Sequence, residues 1–282
     1  MATLLKGKEV VEALNAKMIE DVTALKAKGV NPTLAILRVG ERADDISYEK
    51  GAIKRCELVR VEVRVVALPA DVSEADFFKN LEELNEDITI HGILMFRPLP
   101  KHINEEKARK LLSPSKDIDG CTDISLAGVF TGTGEGFAPC TAEAAVEILK
   151  YYNIPLSGKK ITVIGRSLVI GRPVAMMLMH ENATVTICHT RTVDVPAEAK
   201  NADILVVASG QMESVGAEYL KAGQVVIDVG IVWNDEKGKL CGDVKFDEAE
   251  PIVDAITPVP GGVGGVTTSI LVKHVVEAAK KL

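Results

Sequence analysis

Apolar positions along this chain alternate between two periods. Over residues 9–28 they recur every three or four residues, which predicts an amphipathic helix ending at Gly29. The next run, Pro32-Thr-Leu-Ala-Ile-Leu-Arg-Val39, is short and apolar and reads as a strand. The same alternation predicts a helix over 45–57, a strand over 61–68, a helix over 73–86 opened by Ser73, and a strand over 88–96 that exits through Arg97-Pro-Leu-Pro100. Residues 113–140 follow neither period and are rich in turn formers, and so long an irregular stretch inside a folded protein points to function. Thr141 reads as the cap of a helix running to Tyr152 and bridging two lobes. Beyond it, strands are expected at 160–164, 183–188, 203–208, 224–229 and 252–257, with a final helix following Gly264 and Gly265. Strands and helices in alternation imply an α/β protein with mostly parallel sheets.

Composition then narrows the function classes. The 282 residues are 47% hydrophobic and 26% charged, the profile of a folded globular chain. Lys plus Arg total 33 against 40 Asp plus Glu, a formal charge of −7 with no basic run, so neither nucleic acid nor an anionic membrane surface has an electrostatic basis as a partner. No apolar stretch approaches the roughly 20 residues that cross a bilayer. The N-terminus turns charged too early for a secretory signal, and the expected location is the cytoplasm. Cys56, Cys121, Cys140, Cys188 and Cys241 are scattered without CxxC or Cys/His ligand spacing, and read as reduced thiols with no metal role.

Candidate chemistry starts at Lys160-Ile-Thr-Val-Ile164, which runs into Gly165-Arg-Ser-Leu-Val-Ile-Gly171-Arg-Pro173 and a helix reaching about residue 180. A strand that breaks at glycine and feeds a helix presents free N–H groups and a positive dipole end to an anion such as pyrophosphate. Two glycines six apart are not GxGxxG, so the loop alone is equally an ordinary βα turn. The next strand ends in His189-Thr-Arg-Thr192. An acidic residue there would select NAD, whereas Thr190 and Arg191, with Arg166 opposite, point to NADP. Asp194 lies slightly beyond and keeps NAD as the second candidate.

The runs VIGRSLVIGRPVAMML, ATVTICHTRT, ADILVVASG, VVIDVGI and TPVPGGVG, with KGKEVVEAL, the Tyr48 helix, Pro98-Leu-Pro100 and Lys116-Asp-Ile-Asp-Gly120, closely resemble the methylenetetrahydrofolate dehydrogenase/methenyltetrahydrofolate cyclohydrolase (FolD) family over nearly the whole chain. The resemblance implies a folate-binding catalytic domain of residues 1–140 plus 266–282 and a Rossmann-like NADP-binding domain of residues 141–265, in a homodimer acting on a tetrahydrofolate substrate. It assigns the cofactor to Gly165, Arg166, Ser167, Gly171, Thr190, Arg191 and Ile231. Tyr48 and Asp119 become the catalytic residues and also bind substrate, with Pro260, Gly261, Gly262 and Thr267 on the folate side. A carboxylate at Asp119 suits a pterin, whose amino group and ring N–H form a donor pair; an Asx-type turn before Gly120 is the plainer alternative.

The chain departs from the family at two positions. In most members a lysine stands four residues after the tyrosine and assists hydrolysis; here that place is Ala52. Lys50 and Lys54 lie roughly 200° and 240° around the helix from Tyr48 at about 100° per residue. The usual glutamine is replaced by Phe96, and Arg97 beside it need not replace either missing group, because adjacent strand residues point to opposite faces. Gly265-Val266-Thr267, where Pro-Met-Thr is common, keeps its threonine. Hydride transfer needs mainly the reacting carbon held against the nicotinamide, whereas hydrolysis needs a placed proton carrier. The sequence therefore predicts an NADP-dependent dehydrogenase with weak or lost cyclohydrolase activity. Full bifunctionality, and a silent binder of folate or nucleotide, are the alternatives.

Overall fold

A computed structural model describes residues 1–281 of the chain. In chain order the elements are β1 (Thr3–Leu4), α1 (Gly7–Ala27), β2 (Thr33–Val39), α2 (Ala43–Val59), β3 (Glu62–Leu68), α3 (Glu74–Glu86), β4 (Gly92–Met95), α4 (Glu105–Leu111), α5 (Asp123–Thr131) and α6 (Cys140–Tyr151). There follow β5 (Lys160–Ile164), α7 (Gly171–His180), β6 (Thr184–Cys188), α8 (Val195–Asn201), β7 (Ile204–Val207), β8 (Val225–Asp228), β9 (Val232–Asn234), β10 (Lys239–Cys241), α9 (Phe246–Ala249), β11 (Ala255–Ile256) and α10 (Val263–Lys280). They divide into two compact units, one of residues 1–12 and 141–267, the other of residues 13–140 and 268 onward.

The second of these is built on a parallel three-stranded sheet ordered β3-β2-β4. Ala35, Leu37 and Val39 of β2 and Ile93 and Met95 of β4 pack with Phe77 and Leu81 of α3 in one core. Arg38, between two of these, faces the other way, and its Nε donates to Glu49 Oε2 of α2 at 2.9 Å. The buried stripe of α2, Asp45, Glu49, Ala52, Cys56 and Val59, recurs at helical spacing and sets that helix against the sheet. Ser73 caps α3 by accepting from Asp76 N at 3.0 Å.

In the other unit β1-β11-β8-β7-β5-β6 form one parallel sheet, the Rossmann-like arrangement in which ligands bind beyond the carboxyl ends of the strands. Leu205 and Val207 of β7, Val226 of β8 and Ile256 of β11 are fully buried, as continuous apolar runs in a covered parallel sheet should be. Residues 1–12 were expected with the folate-binding domain. They group with the unit of the six-stranded sheet because β1 pairs with β11, Thr3 opposite Ala255.

Several expected boundaries shift. The stretch 113–140 contains a helix, α5, capped by Thr122, which accepts from Ser125 N at 3.1 Å, and closed by Gly132 in the left-handed region. Helix α6 begins at Cys140, so Thr141 lies inside it. The final helix starts at Val263, with Gly264 and Gly265 in its first turn. The strand expected over 88–96 spans only Gly92–Met95, so Phe96 and Arg97 follow the strand. The hairpin β9–β10 was not foreseen. Among the described residues no helix is long and apolar enough to cross a membrane.

Candidate functional site

Each unit gathers part of the expected site. In the nucleotide-binding unit β5 delivers the chain to Gly165, whose φ of +120° lies in a region that L side chains rarely adopt. A Cβ there would overlap the Ala208 carbonyl oxygen, and one at Gly171 would overlap the Gly165 carbonyl oxygen, so the turn is packed backbone against backbone. Ser167 Oγ accepts from Ile170 N at 3.1 Å and shapes the entry to α7, whose N-cap Ile170 supplies no side-chain cap of its own. Pro173 sits in that first turn as expected.

Gly165, Arg166, Ser167 and Thr190 line a cavity of about 360 Å³, joined by Ser209 and Gln211 from the loop after β7. Free N–H groups, an exposed arginine and hydroxyls on a glycine turn fit a phosphate-bearing dinucleotide. Gly171, Arg191 and Ile231 are outside this lining. Gly171 supports Gly165 from behind, Arg191 N is bonded to His189 Nδ1 at 3.1 Å, and Ile231 is exposed beyond β8. Asp194 caps α8, its Oδ1 accepting from Ala197 N at 3.1 Å. Ser209 and Gln211 carried no sequence signal beyond the end of an apolar strand.

Pro260, Gly261 and Gly262 precede α10 in this same unit, with Gly261 at φ +105° accepting from Gly7 N at 2.8 Å. Thr267 is buried and its hydroxyl donates to Val263 O at 3.3 Å, within its own helix.

In the unit built on the three-stranded sheet the loop at Lys116-Asp-Ile-Asp-Gly120 is held by a buried carboxylate. Asp117 accepts from Cys121 N at 3.0 Å, Thr122 N at 2.7 Å and Ser125 Oγ at 2.7 Å. Asp117 thus performs the turn bracing that an Asp-Gly pair suggests. The Ile118 carbonyl beside it is held twice, by Cys140 Sγ at 3.1 Å and by the His274 Nδ1 of α10 at 2.8 Å. Cys140 also hydrogen-bonds the Asp119 side chain. Neither Cys140 nor His274 was singled out from the sequence, because 134 residues separate them.

Tyr48 sits on α2 against Phe96, ring centroids 5.9 Å apart and edge to face. Burial, then the neighbouring Asp119 and Cys140, hold its phenol well above the ordinary value, partly offset by a hydrogen bond with Thr268. Tyr48 is therefore a neutral hydroxyl at working pH. Ala52, one turn along, is fully buried, while Lys50 and Lys54 are exposed on the far side of an unbroken helix. Arg97 follows the end of β4, and its Nη2 lies 3.9 Å from Asp119 Oδ2.

Burial pushes the Asp119 carboxyl up to about 6, with Arg97 pulling the other way and Asp117 pushing it further up. An ionised carboxylate is the form that accepts two N–H groups, so binding of a donor-rich ligand is expected to weaken as pH falls through about 6. The expected pH profile of kcat/KM for such a substrate falls about tenfold per unit below pH 6. Asp119→Asn removes that acidic limb; a limb that survives the substitution contradicts the assignment. Among the described residues no group of three His, Cys, Asp or Glu side chains is arranged to hold a metal ion.

Comparison with known proteins matches the tetrahydrofolate dehydrogenase/cyclohydrolase catalytic domain over residues 5–119 and the NAD(P)-binding domain of the same name over residues 139–282. A relative from Carboxydothermus hydrogenoformans, named bifunctional protein FolD, is 53% identical over 100% of this chain and 99% of its own. The crystal structure of the bifunctional FolD enzyme from Campylobacter jejuni superposes with a TM-score of 0.96 at 36% identity, covering 100% of this chain and 99% of that one. The Trypanosoma brucei methylenetetrahydrofolate dehydrogenase-cyclohydrolase, solved with NADP and an inhibitor, gives 0.92 at 34% identity, covering 99% and 98%.

Proposed function

The chain belongs to the tetrahydrofolate dehydrogenase/cyclohydrolase family, and we propose that it oxidises 5,10-methylenetetrahydrofolate to 5,10-methenyltetrahydrofolate with NADP, while hydrolysis of that product to 10-formyltetrahydrofolate is weak or lost. The observation that carries this reading is the fully buried Ala52 one turn from a neutral Tyr48, on a helix whose lysines face away.

NADP, when bound, would supply the acceptor for the hydride that leaves the substrate's methylene carbon. Gly165, Arg166 and Ser167 would hold its phosphates, with Thr190 and Arg191 toward the 2′-phosphate. Asp119 takes the amino group and ring N–H of the pterin, which orients the folate. Tyr48 stays protonated and can donate a hydrogen bond. Stabilisation of the methenyl cation comes from the folate's own nitrogens, so this step asks the protein for alignment rather than for a base. Hydrolysis adds water to that cation and opens a ring, and both events move protons. Arg97 does not replace the missing lysine in this, because a guanidinium keeps its protons at neutral pH.

Full bifunctionality is the second reading, supported by the names of relatives about half identical to this chain. The cytoplasmic location and the homodimer belong to the proposal as well; size-exclusion chromatography tests the latter. The direct test of the oxidation is formation of reduced cofactor from methylenetetrahydrofolate. The expected result is turnover with NADP at least about tenfold more efficient than with NAD, from one charge-assisted phosphate contact. No reduction with either nucleotide overturns the reading.

A further inference from the structure

Arg97 is three-quarters covered, with a side-chain exposure of 22%, yet among the described residues its guanidinium has a single charged neighbour, Asp119, and no hydrogen-bond partner. At 3.9 Å the two groups stand beyond hydrogen-bond range of each other. They are side by side; Asp119 also takes a hydrogen bond from Cys140 but, with about four acceptor positions on a carboxylate, still has room for a ligand's donors. The segment that carries Arg97 is fixed at several points. Phe96 N donates to Leu37 O at 3.0 Å, Arg42 Nη1 to Pro98 O at 3.1 Å, and Leu99 N to Glu105 Oε2 at 2.9 Å.

A mostly buried guanidinium without an acceptor is costly, and a ligand oxygen would relieve it. The pyrimidine edge of a pterin presents, in order, the 2-amino donor, the N3–H donor and the 4-oxo acceptor. An acceptor pair at Asp119 with a donor alongside is the complement of that row. We infer that Arg97 is a specificity-determining residue that donates to the pterin 4-oxo group while Asp119 accepts from the adjacent amino group and N3–H. The inference rests on the reading that Asp119 receives the pterin. It assigns Arg97 a role unrelated to the missing lysine: reading the heterocycle instead of moving protons.

The test uses the full chain and a matched ligand pair, tetrahydrofolate and its 2,4-diamino counterpart, titrated calorimetrically against wild type, Arg97→Met and Arg97→Lys. NADP binding by the same samples reports intact folding. Wild type is expected to prefer the 4-oxo ligand, Arg97→Met to reduce that preference about tenfold, as loss of one charge-assisted hydrogen bond implies, and Arg97→Lys to retain most of it. An unchanged preference in Arg97→Met, or equal weakening of both ligands, overturns the inference. So does a loss that disappears with tetrahydropteroate, which would make Arg97 a reader of the glutamate tail. If Asp119→Asn leaves tetrahydrofolate affinity unchanged, the pterin reading itself fails, and the Arg97 assignment with it.

Discussion

Ala52→Lys combined with Phe96→Gln is expected to raise protein-dependent hydrolysis of methenyltetrahydrofolate by about 10²-fold or more, the usual contribution of a placed general acid or base. The pair is needed together. Ala52 has no exposure at all, so a lysine side chain at that position needs room, and Phe96 stands where the family has the glutamine that works with it. Ala52→Lys alone is expected to lower stability, since an ammonium would be forced into a filled site, and to gain less activity. The neutral Tyr48 hydroxyl is already in place one turn away. No rise in hydrolysis for the folded double variant would contradict the assignment of both positions.

Gly165→Ala carries the second large effect. Its φ of +120° is strained for any L side chain, and the added methyl would overlap the Ala208 carbonyl oxygen, which is backbone and cannot rotate aside. Backbone strain and overpacking together amount to more than about 3 kcal/mol. If the loop yields instead of the fold, NADP affinity falls on the order of 100-fold, while tetrahydrofolate binding, assigned in the proposal to Tyr48 and Asp119, is expected to change little. NADP titration followed by tetrahydrofolate titration of the same variant checks both halves. Affinity for NADP within twofold of wild type would show that this turn does not carry the phosphates.

The strands were legible where burial is on both faces. Lys160–Ile164 and Ile204–Val207 read as apolar runs because a covered parallel sheet demands them. Helix α5 was hidden because its pattern is inverted: Ser125 and Gly128 are buried, while Ile124 and Phe130 are exposed at 46% and 67%. Its cap, Thr122, is legible only once the helix is known. Tyr48 and Asp119 were found through motif resemblance, but the groups that set their chemistry were not. Cys140, Thr268 and His274 reach them through contacts across much of the chain, which local periodicity does not encode. Arg97 was read only as no substitute for the missing lysine or glutamine, and its approach to Asp119 was not foreseen, because the strand ends at Met95 and the loop that follows carries no periodicity.

The central claim, oxidation without hydrolysis, is tested most directly by supplying methenyltetrahydrofolate itself and following its disappearance with and without the protein. Reduction of NADP by methylenetetrahydrofolate is measured on the same preparation to prove that the site is active. The account predicts rapid cofactor reduction and methenyl decay close to the protein-free rate. Protein-dependent decay as fast as the dehydrogenase turnover would contradict it.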